Sequence, residues 1–369
     1  MNLIKISRDA LLKPLQAVSG IIERRHTLPI LSNVLFCIKG DQAEMVATDI
    51  EIEITARTAA DSAAQDKVVT VAARKLLDIL RALPEGSEVT LALADKRLQI
   101  RSGKSRFNLQ TLPAEDFPRL LAAEGAETKF TVTQKLLKDL IGLVQYAMAQ
   151  QDIRYYLNGL LMVIEGGQLK LVATDGHRLA FASTEAGSKD LPRQEVILPR
   201  KTVLELARLL GDNADPLEVE LSAGQACFRF GSVVLISKLV DGKFPDYTRV
   251  IPAEQPKKLR FNRLELLAAL QRAAILSSDK FRGVRWLLSE GSLKIICNNT
   301  EQEEAQEELD VAYQGETLDI GFNVGYLVDV LNNLEVAEVD CGLGDGNSSA
   351  LISVPGRDDF KYVVMPMRM

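Results

Sequence analysis

Thr174-Asp175-Gly176-His177-Arg178 gathers a hydroxyl, a carboxylate, an imidazole and a guanidinium into five consecutive positions, and Ser183 follows shortly after. A carboxylate, an imidazole and a hydroxyl are the parts of a hydrolytic triad. A cytosolic hydrolase built on Asp175 and His177 is therefore the enzymatic reading to weigh. The other parts of such a site are not found, since no Gly-x-Ser-x-Gly elbow follows a strand pattern. With only two histidines, His26 and His177, acid–base or metal chemistry has little material. Gly103-Lys104-Ser105 looks like the end of a phosphate-binding loop, but the first glycine of that motif would fall on Leu98. Its setting between Leu98-Gln99-Ile100 and Phe107-Asn108-Leu109 reads as a hairpin instead. Asn298-Asn299-Thr300 matches a glycosylation sequon, which means nothing without secretion. Cys37, Cys227, Cys297 and Cys341 form no C-x-x-C pair and sit in apolar or mixed runs. They read as small buried hydrophobes in a reducing compartment. No metal site, cofactor or catalytic residue is expected.

The Thr174-Asp175 signature occurs twice. Leu35 to Ile38, a turn at Gly40, and Met45-Val46-Ala47-Thr48-Asp49 return as Leu160 to Ile164, Gly166-Gly167, and Leu169-Lys170-Leu171-Val172-Ala173-Thr174-Asp175. A worn third copy is Val284 to Leu288, Glu290-Gly291, and Leu293-Lys294-Ile295-Ile296-Cys297-Asn298-Asn299. The offsets, 126 and 124 residues, are those of a domain, because solenoid repeats run roughly 20–50 residues. Arg74-Lys75 opening an apolar stretch returns as Arg200-Lys201; the third counterpart, Asn323 to Leu334, has lost the basic pair. The expected domains are 1–125, 126–253 and 254–369. The seams fall at Ala122 to Glu127 and at Pro252-Ala253-Glu254-Gln255-Pro256, where proline cannot donate to a continuing ladder. At 369 residues, three cores are affordable.

Each copy opens with a short strand and a helical segment: Leu3 to Leu15, Lys129 to Leu143, Leu259 to Leu270. Ile50, Ile52 and Ile54 alternate with Glu51, Glu53 and Thr55, which predicts one buried and one wet face in an antiparallel sheet. Leu76, Leu77, Leu80 and Leu83, and Val203, Leu206, Leu209 and Leu210, recur at helical spacing. Two helices and several hairpins per copy give an α+β fold of three similar domains. The N-terminus lacks the apolar core of a signal peptide and no run reaches membrane-spanning length. A cytoplasmic protein without membrane contact is expected.

The chain carries a net charge of −6, yet its helical segments lean basic. Arg74, Lys75 and Arg81 face only Asp78; Arg200, Lys201 and Arg208 face only Glu205; Lys257, Lys258, Arg260, Arg263 and Arg272 face only Glu265. Asp329 breaks the trend in the last segment. If these helices point the same way, they form a basic lining on an acidic protein. Such a lining would hold nucleic acid through phosphates, weakly and without reading bases.

Longer motifs carry a resemblance. These are His26-Thr27-Leu28-Pro29-Ile30-Leu31-Ser32-Asn33, Gln151-Asp152-Ile153-Arg154-Tyr155-Tyr156-Leu157-Asn158-Gly159, Ala173 to Ala180, Ser237 to Tyr247, Lys280-Phe281-Arg282-Gly283-Val284-Arg285, and Tyr362-Val363-Val364-Met365-Pro366-Met367-Arg368. Together they resemble, from end to end, the bacterial DNA polymerase III beta subunits, the sliding clamps. Met369 stands where many relatives end in leucine, a volume-conserving exchange.

The resemblance implies a non-catalytic processivity factor with the DNA clamp fold: a head-to-tail homodimeric ring, sheets outside and helices lining a central channel around double-stranded DNA of any sequence. It implies DNA contact by loops carrying Arg24 and Arg25, and Gln150, Gln151, Arg154, Tyr155 and Tyr156; one of the two tyrosines, read as starting a strand, is expected to face inward. A closing interface would set Lys104, Arg106, Phe107 and Leu109 of one chain against Ile275, Leu276, Glu301, Glu303, Glu304, Glu307 and Glu308 of the other. It further implies a peptide cleft of Leu157, Thr174, Gly176, His177, Arg178, Leu179, Pro245, Arg249, Val250, Asn323, Tyr326, Val363, Met365, Pro366, Met367 and Arg368. Arg178, Arg249, His177 and Asn323 would fix the register of a peptide there. The cleft would serve the polymerase III alpha subunit, the clamp loader, other DNA polymerases and repair proteins. The terminal run could instead be an ordinary strand capping a core.

Overall fold

The computed structural model describes residues 2–23, 28–60, 66–123, 125–187, 191–277 and 282–368. Arg24 and Arg25, the motif residues His26, Thr27, Lys280 and Phe281, and Met369 lie outside the described residues.

Among the described residues six α-helices follow the expected two-per-repeat plan: α1 (Arg8–Val18), α2 (Ala73–Ala82), α3 (Gln134–Val144), α4 (Arg200–Leu209), α5 (Arg263–Ala273) and α6 (Val324–Asn333). Leu76, Leu77 and Leu80 of α2 are buried while Arg74, Lys75, Asp78 and Arg81 are exposed, as their spacing requires. Among the described residues, side chains cap the starts of four helices: Ser7 accepts from Ala10 N–H, Thr133 from Leu136 N–H, Asn262 from Leu264 and Glu265 N–H, and Asn323 from Gly325 N–H.

The strands are antiparallel throughout and form two compact units. Unit 1 comprises residues 1–138 and 204–239. Its large sheet runs in the order Lys67–Ala72, Asn33–Lys39, Gln42–Thr48, Ile52–Ala59, Val233–Lys238, Gln225–Phe230, Pro216–Leu221, Thr128–Thr133. Four strands come from the first repeat and four from the second. The seam pairs Leu235 with Ile54 and Ile236 with Glu53. Unit 1 also holds a four-stranded sheet, Asn2–Ser7, Glu88–Ala94, Arg97–Ser102, Ser105–Gln110. The last two strands enclose the turn at Gly103-Lys104, so the loop resembling a phosphate site is a hairpin.

Unit 2, residues 139–203 and 240–369, repeats the plan. Its large sheet runs Gln194–Pro199, Gly159–Glu165, Gln168–Thr174, Arg178–Glu185, Arg357–Val364, Ala350–Val354, Glu338–Leu343, Lys257–Asn262. Here second-repeat strands meet third-repeat strands, with Leu179 opposite Val363. The four-stranded sheet runs Glu304–Asp310, Ser292–Asn298, Gly283–Ser289, Leu318–Asn323.

Three expectations change. Ile52–Ala59 has no wet face near its start: Ile52, Glu53, Ile54 and Thr55 are all buried, while Ile50 precedes the strand, exposed and at φ 74°. The strand lies inside an eight-stranded sheet with α1 packed against it. Glu53 is buried because Arg119 donates to it from Nε (3.1 Å) and Nη2 (3.0 Å) and Leu120 N–H adds a third bond at 2.8 Å.

The basic segment of the third repeat is not a helix face either. Lys257, Lys258 and Arg260 lie on a strand; Arg260 pairs with Asp340, Arg263 donates to the Leu331 and Val336 carbonyls, and Arg272 pairs with Glu307. In α4, Arg208 bonds Glu205 and the Ala17 carbonyl of α1. Of the predicted lining, Arg74, Lys75 and Arg81 are plainly solvent-facing. Tyr155 and Tyr156, finally, belong to a 3-10 turn, Tyr155–Leu157, rather than a strand.

All four cysteines are buried and unbridged, and burial pushes the Cys227 thiol up to about 11 and that of Cys341 to about 12. Both stay protonated at neutral pH. Among the described residues no helix is long and apolar enough to cross a membrane.

Arg119→Ala would strand the Glu53 carboxylate inside the large sheet. The expected loss is about 3 kcal/mol in urea unfolding, the low end for a broken buried pair because Arg119 is itself one-third exposed. A loss below about 1 kcal/mol would mean that water replaces the guanidinium there.

Candidate peptide cleft and DNA-facing loop

The hairpin between Gln168–Thr174 and Arg178–Glu185 turns on Asp175-Gly176-His177. Asp175 Oδ1 accepts from the N–H groups of His177 (2.9 Å) and Arg178 (3.0 Å). Thr174 Oγ1 donates to the Arg178 carbonyl and accepts from Gly176 N–H. The hydroxyl and the carboxylate are thus spent on folding the turn, and the hydrolase reading loses its parts. Gly176 is required: its φ is 89°, and a Cβ would lie 2.8 Å from an Arg154 nitrogen.

Arg178 is the centre of the site. Its Nε donates to Asp175 at 3.1 Å, Nη1 to Asp329 at 2.6 Å and Nη2 to the Tyr146 carbonyl at 2.6 Å, while the guanidinium lies 4.4 Å from the Tyr326 ring centroid. Tyr362 donates to the Tyr326 carbonyl at 2.9 Å. Three of the five N–H donors of Arg178, expected to fix a peptide's register, are held within the chain. Asn323 is likewise occupied as the cap of α6. Arg249 is highly exposed and pairs with Asp246, and His177 is exposed. Of the four residues expected to fix register, these two are the exposed ones.

Leu157, Leu179 and Val363 share one buried apolar cluster with Phe244, and Val250 and Tyr247 pack against it. Phe181 and Tyr247 stack at 5.8 Å. Beyond the last large-sheet strand, Met365 N–H donates to the His177 carbonyl (2.9 Å) and Met367 N–H to the Gly321 carbonyl (2.8 Å). The terminal run is therefore a bridge from the hairpin turn to the small sheet, with Met365, Met367 and Arg368 exposed and Pro366 between the methionines. Pro245, exposed, follows Phe244 at the cluster's edge. Tyr146, Asp329 and Tyr362 are not singled out as site residues from the sequence, although Asp329 stands out as the acid that breaks the basic trend and Tyr362 opens the terminal motif.

The loop before the cleft is held by Asp152, which accepts from Arg154 N–H (2.8 Å) and from its Nε (3.0 Å). The Arg154 side chain holds the Asp152 carboxyl down at about 2. Gln150, Gln151, Arg154 and Tyr155 are exposed, and Ile153 is 96% exposed. Tyr156 packs against the cleft cluster, so one tyrosine does face inward.

Of the residues expected at a dimer interface, Lys104, Arg106, Phe107 and Leu109 lie on or beside the edge strand Ser105–Gln110. Glu304, Glu307 and Glu308 lie on the edge strand Glu304–Asp310 of the four-stranded sheet of unit 2, with Glu301 and Glu303 just before it. Ile275 is 76% exposed beside the half-buried Leu276 in a short turn packed on that strand. Glu307 is already paired with Arg272, and Glu308 accepts from Ser292. Among the described residues no group of three or more His, Cys, Asp and Glu is placed to hold a metal.

Sequence profiles of the DNA polymerase III beta subunit match in order: the N-terminal domain at 1–121, the central domain at 131–246 and the C-terminal domain at 248–368. The beta sliding clamp of Pseudomonas aeruginosa is 48% identical over 364 residues, 99% of each chain. The chain belongs to the DNA polymerase III beta subunit family. The Escherichia coli K12 beta sliding clamp shares the same identity and coverage. A crystal structure of the Pseudomonas aeruginosa DNA polymerase III subunit beta superposes with a TM-score of 0.96 at 48% identity, covering 100% of both chains. As a beta subunit the chain is a non-catalytic processivity factor with three DNA clamp domains, and the exclusion of hydrolase chemistry agrees with that.

Burial raises the Tyr362 and Tyr146 phenols above their ordinary value of about 10. Each contributes stability that is fully present below that value and lost as pH rises through the folded one. In an alkaline titration followed at 295 nm, two of the seven tyrosines should ionise only with cooperative unfolding. Seven phenolates appearing near pH ~10 with the fold intact would contradict this.

Proposed function

We propose that this beta subunit works as a homodimeric ring around double-stranded DNA, built from domains at 1–125, 126–253 and 254–369, and tethers partners through the cleft of unit 2. One observation carries the ring. Ile52–Ala59 pairs with Val233–Lys238, and Arg178–Glu185 pairs with Arg357–Val364. By repeat position, Glu304–Asp310 is the third member of the first set and Ser105–Gln110 the remaining member of the second. Both are edge strands in this chain. A second copy joined head to tail supplies each edge with the partner that its two homologues already have. Ile275 and Leu276 give the joint an apolar contact, and Lys104 and Arg106 face its acidic strand.

DNA contact falls to Gln150, Gln151, Arg154 and Tyr155, whose exposed amide, guanidinium and phenol suit phosphates and sugar edges without selecting bases. Arg24 and Arg25 are assigned the same role from sequence alone. The cleft partners are short extended peptides bearing a glutamine and two large apolar residues, carried by the polymerase III alpha subunit, the clamp loader, other DNA polymerases and repair proteins. An apolar floor with methionines at its rim can repack around different ligands. Such a protein acts in the cytoplasm, where it meets the chromosome, and needs no cofactor.

Ile275→Ala with Leu276→Ala should convert dimer to monomer in sedimentation, since such side chains contribute about 1.5–3 kcal/mol each on burial. The same variant should be lost from nicked circular DNA as fast as the intact protein is lost from linear DNA. An unchanged dimer would remove the interface assignment.

Removing Met365–Met369, which spares the buried Val364, should leave a ring that is retained on circular DNA but supports no processive synthesis. Peptide affinity equal to that of the intact chain would show the cleft assignment to be wrong.

A further inference from the structure

The first repeat carries a groove of its own, an open apolar cavity of about 450 Å³ walled by Leu28, Pro29, Ile50, Leu112, Pro113 and Pro118. Several of its parts repeat those at the corresponding corner of unit 2, although Ile52 stands where Arg178 does. The turn at Asp49 repeats the turn at Asp175: Asp49 Oδ1 accepts from Glu51 and Ile52 N–H at 3.0 and 2.9 Å, and Thr48 Oγ1 donates to the Ile52 carbonyl. Lys238 N–H donates to the Glu51 carbonyl at 2.9 Å, as Met365 N–H does to His177. Phe117, like Phe244, is buried in the cluster beneath, and Ile30 packs on it where Tyr156 packs in the other repeat.

Two differences point to what would fill it. Where the second repeat has Gly176, the first has Ile50 at φ 74°, a conformation in which a β-branched residue is a strained outlier. The fold would be better served by glycine, yet an apolar side chain is held there, 43% exposed, as a wall of the groove. The charge at one side of the rim is also reversed: Asp116 lines the groove with Glu115 beside it, in the place of Lys243 in the second repeat, while Glu51, which stands where His177 does, is already paired with Lys238 at 3.1 Å. We propose that this groove is a second docking site, for an extended partner segment with two adjacent bulky apolar side chains flanked by lysine or arginine. The inference rests on reading the unit 2 groove as a peptide cleft, and adds a site of opposite charge preference.

The test uses the full chain and two fluorescein-labelled octapeptides with a Leu-Phe core, one flanked by lysines and one by glutamates, followed by anisotropy. Leu112→Asp should weaken the lysine-flanked peptide by at least about tenfold. Asp116→Lys, a change at an exposed position, should reverse the preference between the two peptides, and Ile50→Gly should weaken both while relieving the backbone. Removal of Met365–Met369 should change none of these affinities. The proposal is overturned if Leu112→Asp and Asp116→Lys leave binding intact. It is equally overturned if the terminal deletion alone abolishes binding, which would put the peptide in the unit 2 cleft and leave that reading standing. A fall in mass on sedimentation of Leu112→Asp would overturn it too, since a second copy of the chain would then be what covers the groove. Failure of the cleft reading itself has a separate signature, a glutamine-bearing neutral peptide indifferent to the terminal deletion.

Discussion

The backbone ladder between neighbouring repeats is the interaction on which the rest of the molecule depends. A four-stranded half-sheet has two edges and one covered face, and is marginal by itself. Joining Ile52–Ala59 to Val233–Lys238, and Arg178–Glu185 to Arg357–Val364, turns half-sheets into eight-stranded sheets whose middle strands are buried. That is why the compact units do not coincide with the sequence repeats. The ladder also decides where function can sit, because a hairpin turn precedes each seam strand and a strand end leaves beside it. Both grooves lie at such a corner.

Arg178 fulfils at one corner what backbone alone cannot. It ties the second-repeat hairpin, through Asp175, and the Tyr146 segment to Asp329 and Tyr326 of α6. A guanidinium offers five donors in one plane, enough to serve three oxygens and still lie over a ring. This corner is therefore firm at its base, and the flexible side chains of Met365 and Met367 are exposed beyond it.

Much of this was legible in the residues. The repeats, the two helices per repeat and the antiparallel strands follow from apolar spacing and from recurring Thr-Asp and Arg-Lys landmarks, while the edge-strand residues are singled out through the family resemblance. What the pattern could not convey was which polar groups are spent internally. Glu53 alternates like a solvent-facing residue, but Arg119, 66 positions away, covers it. Arg260, Arg263 and Arg272 read as a basic face, yet each meets an acid or carbonyl from a distant element. The internal partners of Arg178, at 146 and 329, are out of view for the same reason: they adjoin it only in the folded chain. Periodicity reports burial; pairing over long sequence separation leaves no local trace.

The acidic edge strand has a further consequence, for solubility and for the fidelity of assembly. Glu304, Gln306, Glu308 and Asp310 project from Glu304–Asp310 as a polar, mostly negative row. An unpaired edge would ordinarily recruit any other strand, including its own copy. Two such rows laid side by side would set like charges directly opposite one another, which is destabilising. Newly made chains are thereby discouraged from meeting acidic end to acidic end and stalling as mismatched pairs. In the ring proposed above, the charge that would receive a basic strand also keeps a crowded population of unpaired edges from templating sheet growth on one another.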